Sequence, residues 1–276
     1  VSDIDNWKMG LDVNDPDAAP PEVFMLKKQA AMQAWYEHMP VRKALLPRGG
    51  MVAMNREFRW GDLMAMQLLD TRQYRGDQPC DDGFKPACPG VFDKNAQVLG
   101  KAQEEWLGRN LAKGGATWNA FAQQITMMSL DRRRKADEPK KIVNLDSWAG
   151  YEAPRERILS RMAGLKNNIV LTGDEHQNFC GDLVSKDKVV GAEFVATSIS
   201  SGGDGSDQRN GTDTFLKLNP ELKFANDQRG YVVCEVNRDA WQTHFMVVDK
   251  VTTPVNTLSK RATGVVERDV AGIKMA

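Results

Sequence analysis

Three stretches of the chain carry apolar residues at helical spacing. In the first of them, Val23, Leu26 and Ala30 recur three or four positions apart. Side chains at this spacing lie on one face of a helix, so we expect amphipathic helices over 21–37, 99–111 and 154–165. Proline cannot continue a helix and glycine commonly ends one. We therefore expect the first helix to end before Pro40 and the second before the glycine pair at 114–115.

Other stretches alternate between apolar and polar residues or are continuously apolar, as β-strands are. The central run lies between Asn168 and Gly173 and is short and apolar, which is typical of a buried strand. The predicted strands are 57–61, 63–69, 118–128, the central run, 193–200, 230–237 and 241–248. Strands mixed with helices predict an α/β fold. Because we find neither an internal repeat nor a clear linker, we expect one domain over 1–276.

The loop after the central strand carries a candidate site. It contains Asp174 and His176, and ligands of open α/β sheets collect at the carboxyl ends of strands. The two side chains are two positions apart, so both can face one cation if the loop is not extended. A carboxylate and a neutral imidazole suit calcium, iron or zinc. The alternative is an aspartate in a glycine turn beside a solvated histidine, because short motifs have many false matches.

Basic side chains form two further groups. Arg72 and Arg75 follow the strand predicted at 63–69, where they can bind a phosphate as planar donors or hold the loop through a carboxylate such as Asp70. The sequence leaves both interpretations open. The run at 132–135 can attract a phosphorylated substrate, but interleaved acidic residues make a solvated loop the preferred interpretation.

Composition narrows the range of partners. The chain has 276 residues, of which 41% are hydrophobic, with 37 basic and 37 acidic side chains. This is enough apolar material for a sizeable core. A net charge of zero gives no global attraction to nucleic acid or to an anionic membrane. No apolar run reaches the length of a membrane span. We therefore expect a monomer with no transmembrane segment and no specific nucleic-acid partner.

Cysteine usage bears on the cellular compartment. Cys80 and Cys88 bracket a turn-rich polar loop that can bring their sulfurs within bonding reach, so we expect a loop disulfide. The alternative is that all four cysteines are reduced. A zinc site is disfavoured because no pair has the Cys-x-x-Cys spacing. A disulfide favours an oxidising compartment.

Six short segments, taken together, resemble the PhoD-like alkaline phosphatases. They occur in the family's order over nearly the whole chain, which makes the set specific although each segment alone is not. The segments are Arg-Trp-Gly-Asp-Leu (59–63), Leu-Asp-Thr-Arg-Gln-Tyr-Arg (69–75), Asp-Ser-Trp-Ala-Gly-Tyr (146–151), Leu-Thr-Gly-Asp-Glu-His (171–176), Thr-Ser-Ile-Ser-Ser (197–201) and Gln-Arg-Gly-Tyr (228–231).

The resemblance implies a fold, an activity and cofactors. The fold is similar to that of the calcineurin-like metallophosphoesterases, with two packed β-sheets flanked by helices. The implied activity is hydrolysis of small phosphate monoesters or diesters, in a secreted or periplasmic enzyme that uses calcium and ferric iron. The family's Gly-Asp-x-His motif implies that Asp174 and His176 are metal ligands. Arg72 is a candidate catalytic residue that offsets charge on the transferring phosphoryl group.

The resemblance begins part-way through the family's pattern. Family members carry earlier metal-binding motifs with Asp, Cys and Tyr, and residues 1–7 are similar to the tail of the segment that follows those motifs. We therefore expect the C-terminal portion of a metallophosphatase. The alternative is a natural truncation that lacks catalysis and acts as an extracellular binding module. Asp5 and Asn6 can add metal ligands, although an ordinary turn is the preferred interpretation.

Overall fold

The structure is a computed structural model that describes residues 20–133, 135 and 137–276, with two short strands before them. Asp5, Asn6 and Arg134, which entered the predictions above, lie outside the described residues. The helices are α1 (Pro21–His38), α2 (Lys101–Ala112), α3 (Glu152–Met162) and α4 (Thr212–Leu218). No helix of this described part is long and apolar enough to cross a membrane.

The strands fall into an early and a late group along the chain. The early strands are β1 (Trp7–Lys8), β2 (Leu11–Asp12), β3 (Arg56–Trp60), β4 (Met64–Leu68), β5 (Phe84–Pro86), β6 (Trp118–Ala122), β7 (Ile142–Asn144) and β8 (Asn168–Thr172). The late strands are β9 (Asn178–Ser185), β10 (Lys188–Val195), β11 (Leu222–Asn226), β12 (Gly230–Val236), β13 (Ala240–Val248), β14 (Leu258–Glu267) and β15 (Lys274–Met275).

A seven-stranded mixed sheet forms the centre of the fold, in the order β11-β9-β10-β8-β6-β4-β3. Its four middle strands, β4, β6, β8 and β10, run parallel to one another. Their ends are in register, with Leu68 opposite Ala122, Ala122 opposite Leu171, and Thr172 opposite Val195. The loops that leave these four strands therefore emerge at one edge of the sheet, where ligands of such sheets collect.

A four-stranded antiparallel sheet, β12-β13-β14-β15, packs on one face of the central sheet. Successive side chains of a strand point to opposite faces, so Trp118 and Ala120 of β6 face this second sheet. Trp118 meets Trp241 of β13 edge-on with ring centroids 6.0 Å apart, and its indole nitrogen donates to the carbonyl of Asn237 at 2.6 Å. The predicted pair of packed β-sheets is confirmed.

Helices α2 and α3 cover the opposite face of the central sheet. Leu107 of α2 and Ile158 of α3 are fully buried against the alternate set of strand residues, such as Phe121 and Val170. Both faces of the parallel strands are thus apolar and covered, which is usual for parallel sheets. The helical layer completes the predicted α/β architecture.

Each predicted helix and strand corresponds to an observed element, but α4 and eight of the fifteen strands in the described part, β9, β11 and β14 among them, were not predicted. The strand predicted over 118–128 ends at Ala122, because Gln123 then forms a tight turn in which its side-chain amide donates to the carbonyl of Ile125 at 2.6 Å. The strand predicted over 193–200 is instead Lys188–Val195. Strand Asn178–Ser185 was not predicted, because Gly181 and Asp182 interrupt its apolar pattern. The single domain over 1–276 stays a prediction.

Cys80 and Cys88 form the predicted loop disulfide, with their Cα atoms 6.0 Å apart. The bridged loop contains β5, which pairs with β7 in a small separate sheet. Leu145, the residue after β7, donates its backbone amide to the carbonyl of Gly83 at 3.0 Å. The disulfide therefore supports the segment that leads directly into Asp146.

We expect replacement of Cys80 and Cys88 by serine to lower the free energy of unfolding by about 2–3 kcal/mol, because an eight-residue separation closes a short loop in the unfolded chain. Urea unfolding of the double variant and of the oxidised wild type measures the difference. Dithiothreitol should bring the wild type to the stability of the variant and leave the variant unchanged; equal stability of oxidised wild type and variant would contradict the prediction.

Candidate functional site

Polar side chains gather where the four parallel strands end. The chain leaves β4 at 69–75, β6 at 123–126, β8 at 173–176 and β10 at 196–198, and the register of the strands brings these segments to one edge. The first and third of these segments contain the predicted site residues Arg72, Asp174 and His176. The sheet thus brings together residues that are about a hundred positions apart in the sequence.

The loop 173–176 projects its two predicted metal ligands outward. Asp174 and His176 are both exposed and both have left-handed backbone torsions, with φ of 70° and 53°. Glu175 between them has a buried side chain with 7% exposure, and its amide donates to the carbonyl of Gly173 at 2.9 Å. The loop is a tight turn and is not extended, which is the condition under which both side chains can face one cation. No side chain of the described residues hydrogen-bonds the imidazole of His176.

Arg72 contacts carboxylates from two other segments. Its Nη1 lies 2.9 Å from both carboxylate oxygens of Asp146, and its Nη2 lies 3.4 Å from Oδ2 of Asp174. Asp70, the partner considered from the sequence, instead accepts hydrogen bonds from the backbone amides of Arg72 and Gln73, at 3.0 and 2.9 Å. Arg72 therefore reaches the predicted metal-binding loop, and Asp70 shapes the turn from which it extends.

Asp146 joins two arginines of the same loop. Arg75, whose side chain is only 2% exposed, lies 2.6 Å from Oδ1 of Asp146, and Gln78 donates to the same oxygen at 2.9 Å. Burial alone would raise the pKa of Asp146, but the positive charges of Arg72 and Arg75 and the hydrogen bonds outweigh it, and the pKa is lowered. Asp146 is therefore ionised at neutral pH and balances the buried Arg75 cation.

Arg132 departs from the prediction of a solvated loop at 132–135. Its side chain is 10% exposed, and its Nη2 lies 2.5 Å from Oε1 of Glu175. Its guanidinium lies over the rings of Phe179 and Phe215, 5.4 and 5.2 Å from their centroids. Cations are attracted to aromatic faces, and a planar guanidinium packs well on them. The expectation fails for Arg132 because its partners come from distant strands and helices, which local charge does not reveal.

Arg229 lies beneath the same loop. It is 1% exposed and donates from Nη1 to the carbonyl of His176 at 2.6 Å and to Ser198 Oγ at 3.0 Å, while Nη2 pairs with Asp227 at 2.9 Å. Gly205 lets the 201–205 loop close over this site, because it has a φ of 71° and a Cβ there would lie 2.0 Å from the carbonyl oxygen of Asp227.

Glu193 of β10 is a fully buried carboxyl group behind the site. It accepts hydrogen bonds from the amides of Met127 and Met128 at 2.7 Å and from the hydroxyl of Thr172 at 2.6 Å. Loss of hydration raises the pKa of Glu193 to about 7, although these hydrogen bonds act in the opposite direction. Glu193 connects the end of β8 with the chain leaving β6, so it supports the site from inside.

The donor set fits a metal ion only in part. Asp174 and His176 face outward, whereas Glu175 and Asp146 are held by arginines. Within the described residues, no three His, Cys, Asp or Glu side chains are grouped so that they could hold a metal ion. Calcium takes six to eight oxygen ligands. These residues therefore provide an incomplete coordination sphere, and we derive no catalytic step through a metal ion from them.

A cavity of about 190 Å³ lies away from this site. It is lined by Asn168 and Lys188, which are the first residues of β8 and β10, and by Gly272. It therefore opens at the amino ends of the parallel strands, opposite to the loops of Arg72 and Asp174. It is not part of the candidate site.

Sequence reasoning missed four residues of this region. Asp146 and Arg229 lie within segments of the family resemblance, which is the one signal that could have drawn attention to them. Glu193 appears as a charged residue in an apolar strand, a pattern that often marks a buried polar group. Arg132 carries no local signal, because a run of basic residues is usually solvated.

Glu193 should make stability depend on pH. Its pKa is raised from 4.5 to about 7 on folding, so the folded state binds the extra proton, and the free energy of unfolding should fall by roughly 3 kcal/mol between pH 4.5 and 7. Urea unfolding at several pH values, beside Glu193→Gln, isolates this contribution. The difference between wild type and variant should shrink as the pH rises. A difference that stays constant between pH 4.5 and 7 would contradict the prediction.

Asp146→Asn should destabilise the fold. The substitution keeps the shape of the side chain but removes the negative charge beside the buried Arg75, and breaking a buried ion pair costs about 3–5 kcal/mol. Asp62→Asn is the matched control, because its pair with Arg238 is exposed on both sides and we expect almost no change. Thermal and urea unfolding give the comparison; equal effects of the two variants would contradict the assignment.

The chain is similar to proteins of one family in sequence and in structure. The sequence model of the PhoD-like phosphatase family matches residues 4–245. Alkaline phosphatase D of Bacillus subtilis (strain 168) is 43% identical over 260 residues, which cover 92% of this chain and 44% of that protein. A solved structure described as "Structure of PhoD" has a TM-score of 0.91 and 40% identity, covering 99% of this chain and 53% of that one.

The match extends over nearly the whole chain, and both similar proteins are about twice its length. The family's fold and the order of its segments agree with the two-sheet architecture and with the loops at the carboxyl edge. The chain belongs to the PhoD-like phosphatase family.

Proposed function

We propose that the chain forms part of a metal-dependent phosphoric ester hydrolase, in which Asp174 and His176 are metal ligands and Arg72 contacts the phosphoryl group of a small substrate. The observation that carries this proposal is that Arg72 and the loop of Asp174 and His176 lie at one sheet edge, with Arg72 Nη2 3.4 Å from the carboxylate of Asp174. The relative named alkaline phosphatase D is about twice as long as this chain, so its name supports the activity of a whole enzyme. For this chain the activity is a proposal.

Calcium and ferric iron are the ions that we propose, as the family resemblance implies. Held in part by Asp174 and His176, such ions would supply positive charge to phosphoryl oxygens and lower the pKa of a water, so that the reaction would need no protein nucleophile. Asp174 and His176 are the two donors that we propose among the described residues. We propose that the remaining donors come from outside the described residues.

Arg72 is placed to bind phosphate because its guanidinium extends from Asp146 to the exposed Asp174. Both oxygens of Asp146 accept from Nη1, and Nη2 is directed toward Asp174 at the exposed edge. A phosphoryl oxygen that approaches the ligands from solvent meets this Nη2. Arginine donors that stabilise the transferring group increase the rate because its charge is spread over several oxygens. Asp146 then positions Arg72, and Arg72 contacts the substrate.

The substrate is a phosphate monoester or diester. The sequence and the site favour neither class, because Arg72 contacts oxygens that both classes share. We further propose a secreted or periplasmic location, since the Cys80–Cys88 disulfide persists in oxidising compartments. The monomeric state and the lack of a specific nucleic-acid partner stay predictions.

A non-catalytic binding module is the second candidate. The incomplete donor set among the described residues favours it, because two outward-facing ligands hold a hard cation only weakly. The two candidates differ in one respect: the hydrolase requires metal-dependent turnover, whereas the module requires only a folded chain.

Hydrolysis of p-nitrophenyl phosphate and bis-p-nitrophenyl phosphate, with added calcium and iron, tests the proposal. We expect turnover by the purified chain that needs metal and is lost in His176→Ala and Asp174→Asn. Arg72→Ala should lower kcat by about 10²–10³-fold, the usual effect of removing a donor to a transition-state oxygen. His38→Ala is the matched control, because His38 is an exposed histidine at the end of α1.

Three outcomes would separate the candidates. A folded chain without turnover, with no response to either metal, would reject the hydrolase for this chain and favour the binding module. Turnover that persists in His176→Ala would reject the assigned ligands. Loss of activity in His38→Ala equal to that in His176→Ala would show that the loss does not report on the site.

A further inference from the structure

Each of three consecutive residues in the loop after β8 contacts a different arginine. Arg72 contacts the side chain of Asp174. Arg132 pairs with the side chain of Glu175, and Arg229 donates to the carbonyl of His176. Arg72 belongs to the proposed phosphate site. Arg132 and Arg229 lie behind the loop, and the proposed reaction does not use them directly.

The loop needs support because its conformation is unfavourable by itself. Asp174 and His176 both have positive φ, which costs about 1–2 kcal/mol for a residue with a side chain. Both side chains are exposed, so they bury no apolar area that would offset this cost. Strained turns of this kind persist where the surrounding structure determines them. The surrounding structure holds this turn through two groups, the inward-facing side chain of Glu175 and the carbonyl of His176.

Arg132 holds the loop through the side chain of Glu175. Oε1 of Glu175 accepts from Arg132 Nη2 at 2.5 Å and from the hydroxyl of Thr126 at 2.8 Å. Arg132 itself is fixed by Phe179 of β9 and Phe215 of α4, which face its guanidinium. The middle residue of the loop is therefore fastened to the central sheet and to a helix, and its two neighbours are directed outward.

Arg229 holds the loop through its backbone. The carbonyl of His176 accepts from Nη1 of Arg229 at 2.6 Å, and the same nitrogen donates to the carbonyl of Ser201 at 3.0 Å. The side chain is 1% exposed, and its charge is balanced by Asp227 at 2.9 Å. One buried cation thus connects the His176 peptide with the loop that follows β10.

We propose that Arg132 and Arg229 are positioning residues that fix the backbone of 173–176 so that the side chains of Asp174 and His176 keep one mutual arrangement. The role of those two side chains as ligands rests on the proposed function. Groups that orient metal ligands commonly change metal affinity by 10–100-fold when removed. Lysine cannot replace either arginine, because it lacks the planar set of donors that each uses.

The test uses the full chain with Arg132→Lys and Arg229→Lys, which keep the charge. Arg155→Lys is the matched control. Arg155 is also buried and donates to the carbonyl of Met127 and to the carboxylate of Glu152, but it has no hydrogen bond or ion pair with the described residues 173–176. Amide hydrogen exchange of the peptide spanning 173–177 reports on the loop without metal. Broadening of the His176 imidazole resonance by Mn²⁺ reports on binding, and the chain has only 3 histidines.

We expect both lysine variants to exchange at 173–177 at least about tenfold faster and to bind Mn²⁺ at His176 about 10–100-fold more weakly. Arg155→Lys should change neither the exchange rate at 173–177 nor the Mn²⁺ affinity, even if urea unfolding shows that it lowers the stability as much as Arg132→Lys and Arg229→Lys do. If Arg132→Lys does not fold, Glu175→Gln takes its place, because it keeps the shape of the side chain and weakens the same contact.

Several results would overturn the inference. One is an unchanged rate of amide exchange at 173–177 in both Arg132→Lys and Arg229→Lys. Another is faster exchange in these variants with an unchanged affinity for Mn²⁺. Equal changes in Arg155→Lys would mean that the loop only follows global stability. A wild-type chain in which Mn²⁺ does not affect His176 would reject the ligand assignment of the proposed function; the exchange measurement then decides on the arginines by itself.

Discussion

The structure depends on charge neutralisation at the carboxyl edge of its parallel sheet. This edge is where the chain leaves four covered strands, so side chains that point back into it lose hydration and need a partner of opposite charge. Asp146 balances Arg75, Glu175 balances Arg132, and Asp227 balances Arg229. The first two pairs join segments that are distant in the sequence, whereas Asp227 and Arg229 are neighbours, and Arg229 reaches the distant loop through the carbonyl of His176. The pairs therefore determine how the loops are arranged relative to one another, although a buried ion pair by itself adds little to stability.

This arrangement separates residues that give the site its shape from residues that face solvent. Glu175 and Arg229 are buried and make several hydrogen bonds, whereas Asp174 and His176 are exposed in strained conformations. Strain concentrates at functional sites because a rigid surrounding structure maintains it there. The parallel strands provide that rigidity, since apolar layers cover both of their faces. An exposed carboxylate and imidazole held in one arrangement can bind a cation with a smaller loss of entropy than flexible side chains.

The chain spans about half the length of the relatives to which it is similar, and the candidate site is correspondingly partial. The proposed metal and phosphate site would use two outward-facing donors and one arginine of this edge, but hard cations need more ligands. The same edge carries the charged groups and the strained turn. A metal centre that uses Asp174 and His176 would therefore be built on this edge, with the arginines already neutralised by their own carboxylates.

The sequence by itself determined the local structure and the family. Helical and alternating patterns located α1, α2, α3 and seven of the strands, β3, β4, β6, β8, β10, β12 and β13, and the order of short segments identified the fold of two packed sheets. The run at 132–135 shows the limit of local patterns, since its Arg132 packs over aromatic rings from β9 and α4 and pairs with Glu175. Only the tertiary structure decided the partners of the charged residues: Arg72 contacts Asp146 and Asp174 rather than holding its own loop through Asp70. Strand pairing brings together residues that are far apart along the chain, and local periodicity contains no information about which of them meet.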